Sequence, residues 1–529
     1  MEIIAGSKKR RYLAIVSALL VTVVLIAAIS GCYNDPFLPP CDSENLEIRT
    51  WYDLDAVRDN LCGKHTLMND LDSSTDGYEE LAGPMANGGK GWQPIATSLH
   101  EFIGTFNGQG YEISDLFIDR LDEYYVGLFG ALGDYYGVGG VIRDMGVVSV
   151  TVIGNRCVSG LVGGNWDGTV SNSYSTGNVT GNKYVGGLVG QNSGTVSRSY
   201  CTGSVSGNVS VGGLVGANWD GTVSNSYYNY DEVLINGENI ITSGALFGED
   251  FEQWLANGKF LDVNERLSQE NGYYVVNNVS DFKELLAFGQ NATLKFRLAN
   301  DLDLATEPNF YIPYFAGEFD GNGHIISNVS FNFDFVSNVG LFGYIGSGGR
   351  VTKVGVENVN ITNASWWVGG LAGFSAGAVS NSHSSGSVTG NMYVGGLMGA
   401  NWDVTMSNSY STSSVTGNEG VGGLVGANWD GIVSNSYSTG KVTGNSYVGG
   451  LVGQDMGIGH ISNSFWDIQT SGQTTSDGGT GKTTAQMKNI YTFSGPGWNI
   501  VAVALNETNP AYIWNIVNGV TYPFLSWQS

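Results

Sequence analysis

The sequence predicts an all-β protein built as two tandem right-handed parallel β-helix (β-solenoid) lobes with short helical caps. Three observations carry this prediction: an unusual abundance of Gly, a short repeat of 26 or 27 residues, and a longer duplication of the whole repeat block. Gly is 79 of the 529 residues, whereas Pro is only 10. Gly and Asn are poor helix formers, and Gly here has no period of three, so both helical repeats and collagen are disfavoured.

The short repeat is marked by a leucine inside segments that read Val-Gly-Gly-Leu-Val-Gly or close variants. It occurs in both halves of the chain, at Leu161, Leu188, Leu214, Leu371, Leu397, Leu424 and Leu451. A fixed period of this size indicates stacked units, and 26–27 residues are enough for one turn of a parallel β-helix. We expect Gly to supply positive φ at the corners of each turn, and the leucines to stack in the core.

Other equivalent residues should also stack from turn to turn. We expect one ladder, hydrogen-bonded along the stack, to consist of Asn172, Asn225, Asn408, Asn435 and Asn463. Val170, Asn172 and Tyr174 share one strand face by period two, and Val170 indicates that this face is interior. The position of the corner that follows is left open by the sequence.

The longer duplication pairs Phe106-Asn-Gly-Gln-Gly110 with Phe319-Asp-Gly-Asn-Gly323, 213 residues later. Helical patterns at 52–61 and 281–288 lie near the start of the two lobes, just before the matching segments 67–72 and 298–303, and a third short helix is expected at 251–256. Because solenoid ends expose unpaired strand edges, we interpret the first two helices as caps. A helix at 485–490 and an aromatic tail at 498–527 should cover the second open end.

These patterns divide the chain into six segments. They are a signal segment at 1–31, a tether at 32–45, a first lobe at 46–235, a connector at 236–270, a second lobe at 271–470 and a C-terminal cap at 471–529.

The N-terminal segment has the pattern of a signal that targets a protein to the cell envelope. Four basic residues at 8–11 precede an uncharged apolar run at 12–29, and Ser30-Gly31-Cys32 follows. This arrangement resembles the lipobox of prokaryotic lipoproteins, which implies cleavage before Cys32 and lipidation of its thiol. An uncleaved membrane helix is the alternative, since the run is nearly long enough to span a bilayer. Both interpretations place the remaining chain on the extracellular or periplasmic side.

Net charge and cysteine content limit which binding partners, cofactors and disulfides the sequence predicts. The formal net charge is −25, from 23 Lys plus Arg against 48 Asp plus Glu, so a nucleic-acid partner is not expected. The 42% hydrophobic content rules out a disordered acidic chain. No cofactor is predicted, and no Cys/His cluster with zinc spacing is present. Cys41 and Cys62 are candidates for a disulfide, whereas Cys157 and Cys201 occupy non-equivalent repeat positions and are not expected to pair.

The repeat itself is recognisable. The segment Tyr184-Val-Gly-Gly-Leu-Val-Gly-Gln-Asn-Ser-Gly-Thr-Val-Ser197 resembles GLUG repeats, and seven clear units with two weaker ones cover well over half of the chain. The resemblance implies a prokaryotic surface or secreted protein, in a group that includes adhesin-like proteins and IgA-specific metallopeptidases, with the repeats themselves non-catalytic. The peptidase motif HExxH is missing, because His100-Glu101 is followed by Phe102-Ile103-Gly104.

Two other motifs have catalytic interpretations. The pairs Asp70/Asp72 and Asp301/Asp303 each place two carboxylates on one strand face, as β-helix polysaccharide lyases and hydrolases do for acid–base work or calcium binding. They lie at the capped ends without a basic cluster, so turn or cap hydrogen bonding is the favoured interpretation. The segment 480–484 resembles part of a phosphate loop but has Ser476 where the first Gly is needed.

The triplet Asn-Trp-Asp recurs four times and reads as a turn. In the simplest interpretation, Trp packs over the corner and Asp caps the turn. In the functional interpretation, the aromatic rings form an exposed row that stacks on sugars while the acids reach hydroxyl groups. The predicted ligand contacts are Trp166, Asp167, Trp219, Asp220, Trp402, Asp403, Trp429 and Asp430.

Together these observations predict a non-catalytic cell-surface lipoprotein, anchored by Cys32, that binds an extracellular glycan or surface protein. A polysaccharide lyase or hydrolase of the β-helix type and a structural envelope or stalk protein remain as alternatives. The sequence predicts no metal site.

Overall fold

The computed structural model describes residues 45–134, 137–219, 221–332 and 336–528. Its architecture is a β-solenoid of about 12 turns with few short helices, which confirms the predicted fold class. Almost all neighbouring strands are parallel, and they belong to separate sheets before and after residue 260. The predicted lipidation site Cys32, together with Cys41 and Asp220, lies outside the described residues.

The first lobe has three sheets that follow the faces of the solenoid. The first sheet contains Asn45–Ile48, Lys64–Leu67, Thr105–Asn107, Val141–Arg143, Thr169–Ser171, Thr195–Ser197 and Thr222–Ser224. The second contains Glu112–Ser114, Phe117–Val126, Gly146–Val158, Tyr174–Thr180, Lys183–Gly186, Tyr200–Cys201, Val205–Ser206, Val209–Gly212, Tyr227–Asn229 and Ala245–Leu246. The third contains Phe129–Leu132, Val162–Asn165, Val189–Asn192 and Val215–Asn218.

The second lobe has one large sheet and one six-stranded sheet, which we call the outer sheet. The large sheet contains Gln269–Glu270, Tyr273–Val276, Lys295–Leu298, Leu302–Asp303, Glu318–Ser327, Ser330–Asn332, Arg350–Gly369, Ala378–Ser380, His383–Gly395, Thr405–Ser407, Tyr410–Ser411, Ser414–Thr416, Glu419–Gly422, Ile432–Ser434, Tyr437–Ser438, Val442–Thr443, Ser446–Gly449, His460–Ser462, Phe465–Asp467 and Thr480–Lys482. The outer sheet contains Ile312–Phe315, Phe342–Ile345, Ala372–Ser375, Met398–Trp402, Val425–Trp429 and Val452–Met456.

Equivalent residues stack in register, as the repeat predicts. Val170 pairs with Val196, which pairs in turn with Val223, and all three side chains are buried. The leucines that mark the repeat are all buried as well. The corner that the sequence left open falls at Asn172, whose φ is +49°. Tyr174 therefore lies on the next face, where its ring stacks on Tyr200 at 4.7 Å.

The hydrogen-bonded Asn ladder is not the one that the sequence predicted. Asn172, Asn225, Asn408, Asn435 and Asn463 all have φ near +48° and form a column of left-handed corners. No Asn–Asn hydrogen bond joins these five within the described residues, because Asn supplies the left-handed conformation there. The ladder instead joins Asn165 and Asn218 of two Asn-Trp-Asp triplets through the equivalent Asn192, where Asn165 Nδ2 donates to Asn192 Oδ1 and Asn192 Nδ2 donates to Asn218 Oδ1, each at 2.8 Å.

The repeat glycines also act differently from the prediction. Positive φ at the recurring corners is mostly carried by Asn and aromatic residues, whereas Gly186, Gly187 and Gly190 have ordinary φ. A Cβ on Gly186 would lie 2.0 Å from the carbonyl oxygen of Val189. These glycines are needed because backbone segments approach each other too closely for a side chain.

The helices are short and cover ends or flanks. They are Trp51–Asp55, the 3-10 helix Ala56–Asp59, Tyr78–Leu81, Ala86–Gly89, Gly248–Ala256, Val263–Arg266, Val279–Lys283, Leu285–Phe288, Ile468–Ser471, Thr484–Met487 and Tyr491–Ser494. Leu285–Phe288 belongs to the second cap and contacts the first lobe, where the Tyr227 hydroxyl donates to the Ala287 carbonyl at 2.8 Å.

The connector helix and the C-terminal tail cover equivalent flanks of the two lobes. In the first lobe, Trp254 packs edge-on against Tyr227, which continues the Tyr174–Tyr200 column. In the second lobe, Trp514 packs against Tyr410 and Tyr437, which stack at 4.9 Å. The tail includes a small sheet of Ile500–Ala502, Trp514–Ile516 and Phe524–Leu525. It therefore lies along the side of the second lobe, while Thr480–Lys482 adds a strand beyond the last turn.

The cysteines in the described core match the expectation that they do not pair. Cys157 and Cys201 are both free thiols and both buried. The predicted disulfide between Cys41 and Cys62 involves a residue outside the described part of the chain and stays a prediction.

Candidate functional site

The Asn-Trp-Asp corners place Asn inside the solenoid and the aromatic ring outside it. The strands that end at Asn165 and Asn218, and those that pass through Asn401 and Asn428, alternate inward and outward side chains. Asn165, Asn401 and Asn428 are buried, and Asn401 Nδ2 donates to Asn428 Oδ1 at 2.8 Å. The buried amides thus fix the backbone that carries each tryptophan.

The four tryptophans differ in exposure. Trp219 is 44% exposed and Trp402 is 49% exposed, whereas Trp166 and Trp429 are half-buried. Trp166 and Trp219 lie two strands apart, with Ser193 between them, and Trp402 contacts Trp429 at 5.7 Å between ring centroids. The structure therefore brings together only the second pair.

Aromatic residues at left-handed corners support several of these rings. Tyr125 contacts Trp166 at 5.8 Å, and Tyr393 contacts Trp429 at 5.1 Å, both edge-on. Tyr125 and Tyr393 have φ of +59° and +55°, a conformation that bulky residues rarely adopt. Strain of this kind, about 1–2 kcal/mol per residue, is often associated with functional sites.

The second lobe extends the tryptophan pair into a continuous aromatic row on the outer sheet. The row consists of Tyr314, Tyr344, Phe374, Trp402 and Trp429. Neighbouring ring centroids are 5.0–6.1 Å apart, from the Tyr344–Phe374 contact to the Phe374–Trp402 contact. Tyr314, Tyr344 and Phe374 were not predicted from the sequence, because they lie two residues before the column that the tryptophans occupy in the aligned strands. Where that column has only Gly346 and Ala376, the adjacent column has Tyr344 and Phe374.

The acids of the triplets are mostly structural or solvent-facing. Asp430 Oδ1 accepts a hydrogen bond from the backbone N–H of Ile458 at 2.7 Å, which ties two turns together. Asp167 and Asp403 are exposed. Asp220 lies outside the described residues.

The tyrosine hydroxyls near the corners stay protonated at neutral pH. Burial raises the pKa of both Tyr125 and Tyr393 above the ordinary value of tyrosine, with nearby acidic groups adding to the shift. A protonated phenol both donates and accepts hydrogen bonds, as a sugar hydroxyl requires.

The two aspartate pairs are engaged in turn and inter-turn hydrogen bonds. Asp72 Oδ1 accepts from the N–H of Ser74 at 2.8 Å, and Asp303 Oδ1 accepts from Asn328 Nδ2 at 2.6 Å. Hydrogen bonds from Ser74 and Asn328, respectively, lower the pKa of Asp72 and of Asp303, so neither carboxyl is poised to donate a proton near neutrality.

Asp301 Oδ1 accepts from the backbone N–H of Ile325 at 2.9 Å, which makes it an inter-turn contact too. Within the described ranges, no group of three or more His, Cys, Asp or Glu side chains is arranged to hold a metal ion. The same part of the chain has no helix with the length and apolarity needed to cross a bilayer.

The GLUG resemblance is confirmed by comparison with known families. The model of the GLUG motif matches residues 154–180 in the first lobe and residues 417–443 in the second. Both matches span a left-handed corner and the strands on either side of it.

Relatives share parts of the chain. Halomucin of Haloquadratum walsbyi is 35% identical over 150 residues, which is 27% of this chain and 2% of that protein. A protein of Evansella cellulosilytica named "Putative Gly-rich membrane protein" is 29% identical over 236 residues, which is 35% of this chain. This chain spans only 25% of the second relative's length.

A solved structure also shows similarity. It is described as a "putative immunoglobulin A1 protease" from Bacteroides ovatus, with 19% identity and a TM-score of 0.37. The match covers 49% of this chain and 94% of the other.

Proposed function

We propose that this protein is a non-catalytic surface lipoprotein that binds extracellular carbohydrate through the aromatic side chains on the outside of the solenoid. The observation that carries the proposal is the aromatic row from Tyr314 to Trp429, which is held outward on a rigid sheet. Tyr314, Tyr344 and Phe374 stack on one another and so present their ring edges, whereas Trp402 is 49% exposed and offers the most accessible aromatic surface for the C–H face of a sugar ring. Parallel strands repeat about every 4.8 Å. A row with that spacing suits an extended chain of sugar residues.

Anchoring at the cell surface is the second part of the proposal. The basic residues at 8–11, the apolar run and Ser30-Gly31-Cys32 support lipidation at Cys32. The relative named as a Gly-rich membrane protein is consistent with a membrane-associated setting. In cells that express the full chain, Cys32→Ala should release the protein from the membrane fraction. Unchanged retention would favour the uncleaved helix instead.

A glycan array with the purified full-length protein tests the binding function. We expect the wild type to bind at least one extracellular glycan, and a variant with Ala at positions 166, 219, 402 and 429 to lose that binding. Tyr491→Ala, which removes a 77% exposed aromatic ring that is not a member of the row, is the control and should bind normally. Unchanged binding by the fourfold variant would refute the stacking role. If the wild type bound no glycan on the array, a structural stalk would be favoured.

Catalysis has its own readout in the same experiment. Release of shorter oligosaccharides from a bound polysaccharide would show cleavage. If that release vanished in Asp301→Asn, the protein would be a β-helix enzyme and the non-catalytic proposal would be wrong.

A further inference from the structure

Two of the corner tryptophans, one from each lobe, line the same cleft at the junction of the lobes. Trp219, at the end of the last strand of the third sheet, forms part of one wall, and Trp402 forms part of the other. The cleft has a volume of about 380 Å³. That volume lies within the ~300–1,000 Å³ typical of small-molecule sites.

The second-lobe wall of the cleft is largely aromatic. Tyr344, Phe374 and Trp402, all members of the aromatic row, line it together with Trp367. The Trp367 ring meets Phe374 edge-on at 5.9 Å, so two differently oriented aromatic surfaces face the cavity. A flat ligand with apolar faces can therefore contact aromatic carbon from both lobes.

Polar groups with unused hydrogen-bonding capacity complete the lining. Within the described residues, the side chains of Ser210, Ser243, Ser337 and Asn338 have no hydrogen-bond partner, and all are half-buried. The indole N–H of Trp367 also has no partner there. Buried polar groups in folded proteins are nearly always paired, so the buried Trp367 N–H is an unused donor, and the four partly exposed side chains are free to bond to the hydroxyl groups of a ligand.

The uncharged lining of the cleft, within the described residues, favours neutral carbohydrates over acidic ones. No Asp, Glu, Lys or Arg of the described residues lines it, although the whole chain carries a net charge of −25. Without a cationic side chain, the cleft offers nothing to neutralise a carboxylate or sulfate, and the surrounding negative charge would repel one. A neutral sugar meets neither obstacle.

Contacts beside the cleft fix its two walls relative to each other. The Lys183 ammonium of the first lobe lies 4.8 Å from the centroid of the Tyr184 ring and 5.1 Å from that of Trp366 in the second lobe. On the far side, the Tyr227–Ala287 hydrogen bond joins the lobes again. Pre-organised walls lose less conformational freedom when a ligand binds.

From these features we infer that the junction cleft is a binding site for a neutral pyranose unit, built from both lobes, from which a glycan chain continues along the aromatic row. This inference rests on the proposed carbohydrate-binding function and assigns it a principal subsite. The exposed Trp219 ring supplies the stacking surface on one wall, and Phe374, which is stacked on Tyr344, supplies a ring edge on the other wall. Ser210, Ser243, Ser337 and Asn338 supply hydrogen bonds to the sugar hydroxyls.

Isothermal titration of the full-length protein tests the inference. The probes are three neutral hexasaccharides, cellohexaose, maltohexaose and mannohexaose, and one acidic oligomer, hexagalacturonate. We expect a neutral probe to bind and the acidic probe to bind at least about tenfold more weakly. Trp219→Ala should lower the affinity for the neutral probe at least about tenfold, because the ligand can no longer bury its apolar face against the exposed half of the indole ring. Tyr491→Ala, which removes an exposed aromatic ring that does not line the cleft, should change affinity less than about twofold.

The outcomes separate the cleft from the broader function. Equal losses for Trp219→Ala and Tyr491→Ala, or a preference for hexagalacturonate, would overturn the cleft inference but leave carbohydrate binding intact. If the wild type bound none of the four probes and no glycan on the array, both the cleft inference and the carbohydrate-binding function would be overturned. Phe374→Ala provides a second test on the opposite wall, and retention of full affinity in both cleft variants would also refute the inference.

Discussion

The side-chain amide of Asn165 donates to the side-chain oxygen of Asn192, one turn further along, at 2.8 Å, and both residues are fully buried. Asn192 Nδ2 donates in turn to Asn218 Oδ1, so these hydrogen bonds run along the solenoid axis. The residue after Asn165 and Asn218 is an outward tryptophan. The buried ladder therefore links the internal repeat directly to the external aromatic surface.

Breaking this ladder in the middle should destabilise the first lobe. Asn192→Ala leaves a donor of Asn165 and an acceptor of Asn218 unpaired in the core, and we expect the free energy of unfolding to fall by about 2–4 kcal/mol. Asn182→Ala is the control, because Asn182 belongs to an exposed Asn ladder and should cost less than about 1 kcal/mol. Urea unfolding followed by circular dichroism compares the two, and equal effects would contradict a special role for burial.

The close backbone approach at Gly186 gives a second prediction. Gly186→Ala places a methyl group about 2 Å from the Val189 carbonyl, and we expect a loss of more than about 3 kcal/mol or failure to fold. Gly237→Ala is the contrast, since its Cβ meets nothing within 4 Å and only its φ of +87° is unfavourable. That variant should lose about 1 kcal/mol. Similar melting temperatures for the two variants would show that conformation, not space, selects glycine in the repeat.

Glu284 lies in the second cap, between the helices Val279–Lys283 and Leu285–Phe288, and contacts Arg266 of the connector. This residue should make the stability of the protein depend on pH. Burial raises its pKa to about 7; Asp250 adds to the shift and Arg266, 3.7 Å away, opposes it. The folded protein therefore favours the protonated form, and stability should fall as pH rises from about 4.5 to 7 and level off above. The change should be about 1–2 kcal/mol after allowance for solvent screening.

Thermal melts at pH 5 and pH 8 measure this effect. Glu284→Gln should reduce the difference in melting temperature between the two pH values, because the neutral amide resembles the protonated acid. An unchanged difference in the variant would show that other groups cause the pH dependence.

The strained aromatic corner at Tyr393 should matter more for binding than for folding. Tyr393→Asn places a residue that tolerates positive φ at this corner, and we expect stability to change by less than about 1 kcal/mol. Affinity for the neutral hexasaccharide should fall, because Trp429 loses its edge-on neighbour at 5.1 Å. Tyr447→Asn, at an equivalent corner with φ of +50° but without a contacting tryptophan, is the control. A large loss of stability in Tyr393→Asn alone would indicate a structural role.

The fold was largely predictable because the repeat period fixes which residues stack. Leu161, Leu188 and Leu214 are buried as expected, since in-register parallel strands place equivalent side chains together. The period says nothing about where each turn bends. Asn172 was therefore taken for an internal ladder, whereas it forms a left-handed corner. Gly186 was expected to turn the chain, whereas it makes room for a neighbouring strand.

The candidate site was less predictable. The Asn-Trp-Asp triplet predicted an exposed row of aromatic rings; Trp219 and Trp402 are exposed, Trp166 and Trp429 are half-buried, and their part in binding stays a prediction. Trp219 and Trp402 meet at one cleft only because of how the lobes pack, and no local pattern encodes that packing. Tyr344 and Phe374 escaped notice because they occupy a different column from the tryptophans. Reading adjacent columns of the aligned repeats together would have revealed them.

The central claim is that outward aromatic rings at the junction of the lobes bind carbohydrate. The most direct measurement is a crystal structure of the full-length protein with the neutral hexasaccharide that binds most tightly. We predict a sugar ring stacked on Trp219 or Trp402 within the cleft, with the chain continuing along Phe374 and Tyr344. Sugar bound only beside Asp301 and Asp303, or no sugar in the cleft at saturating concentration, would contradict the account.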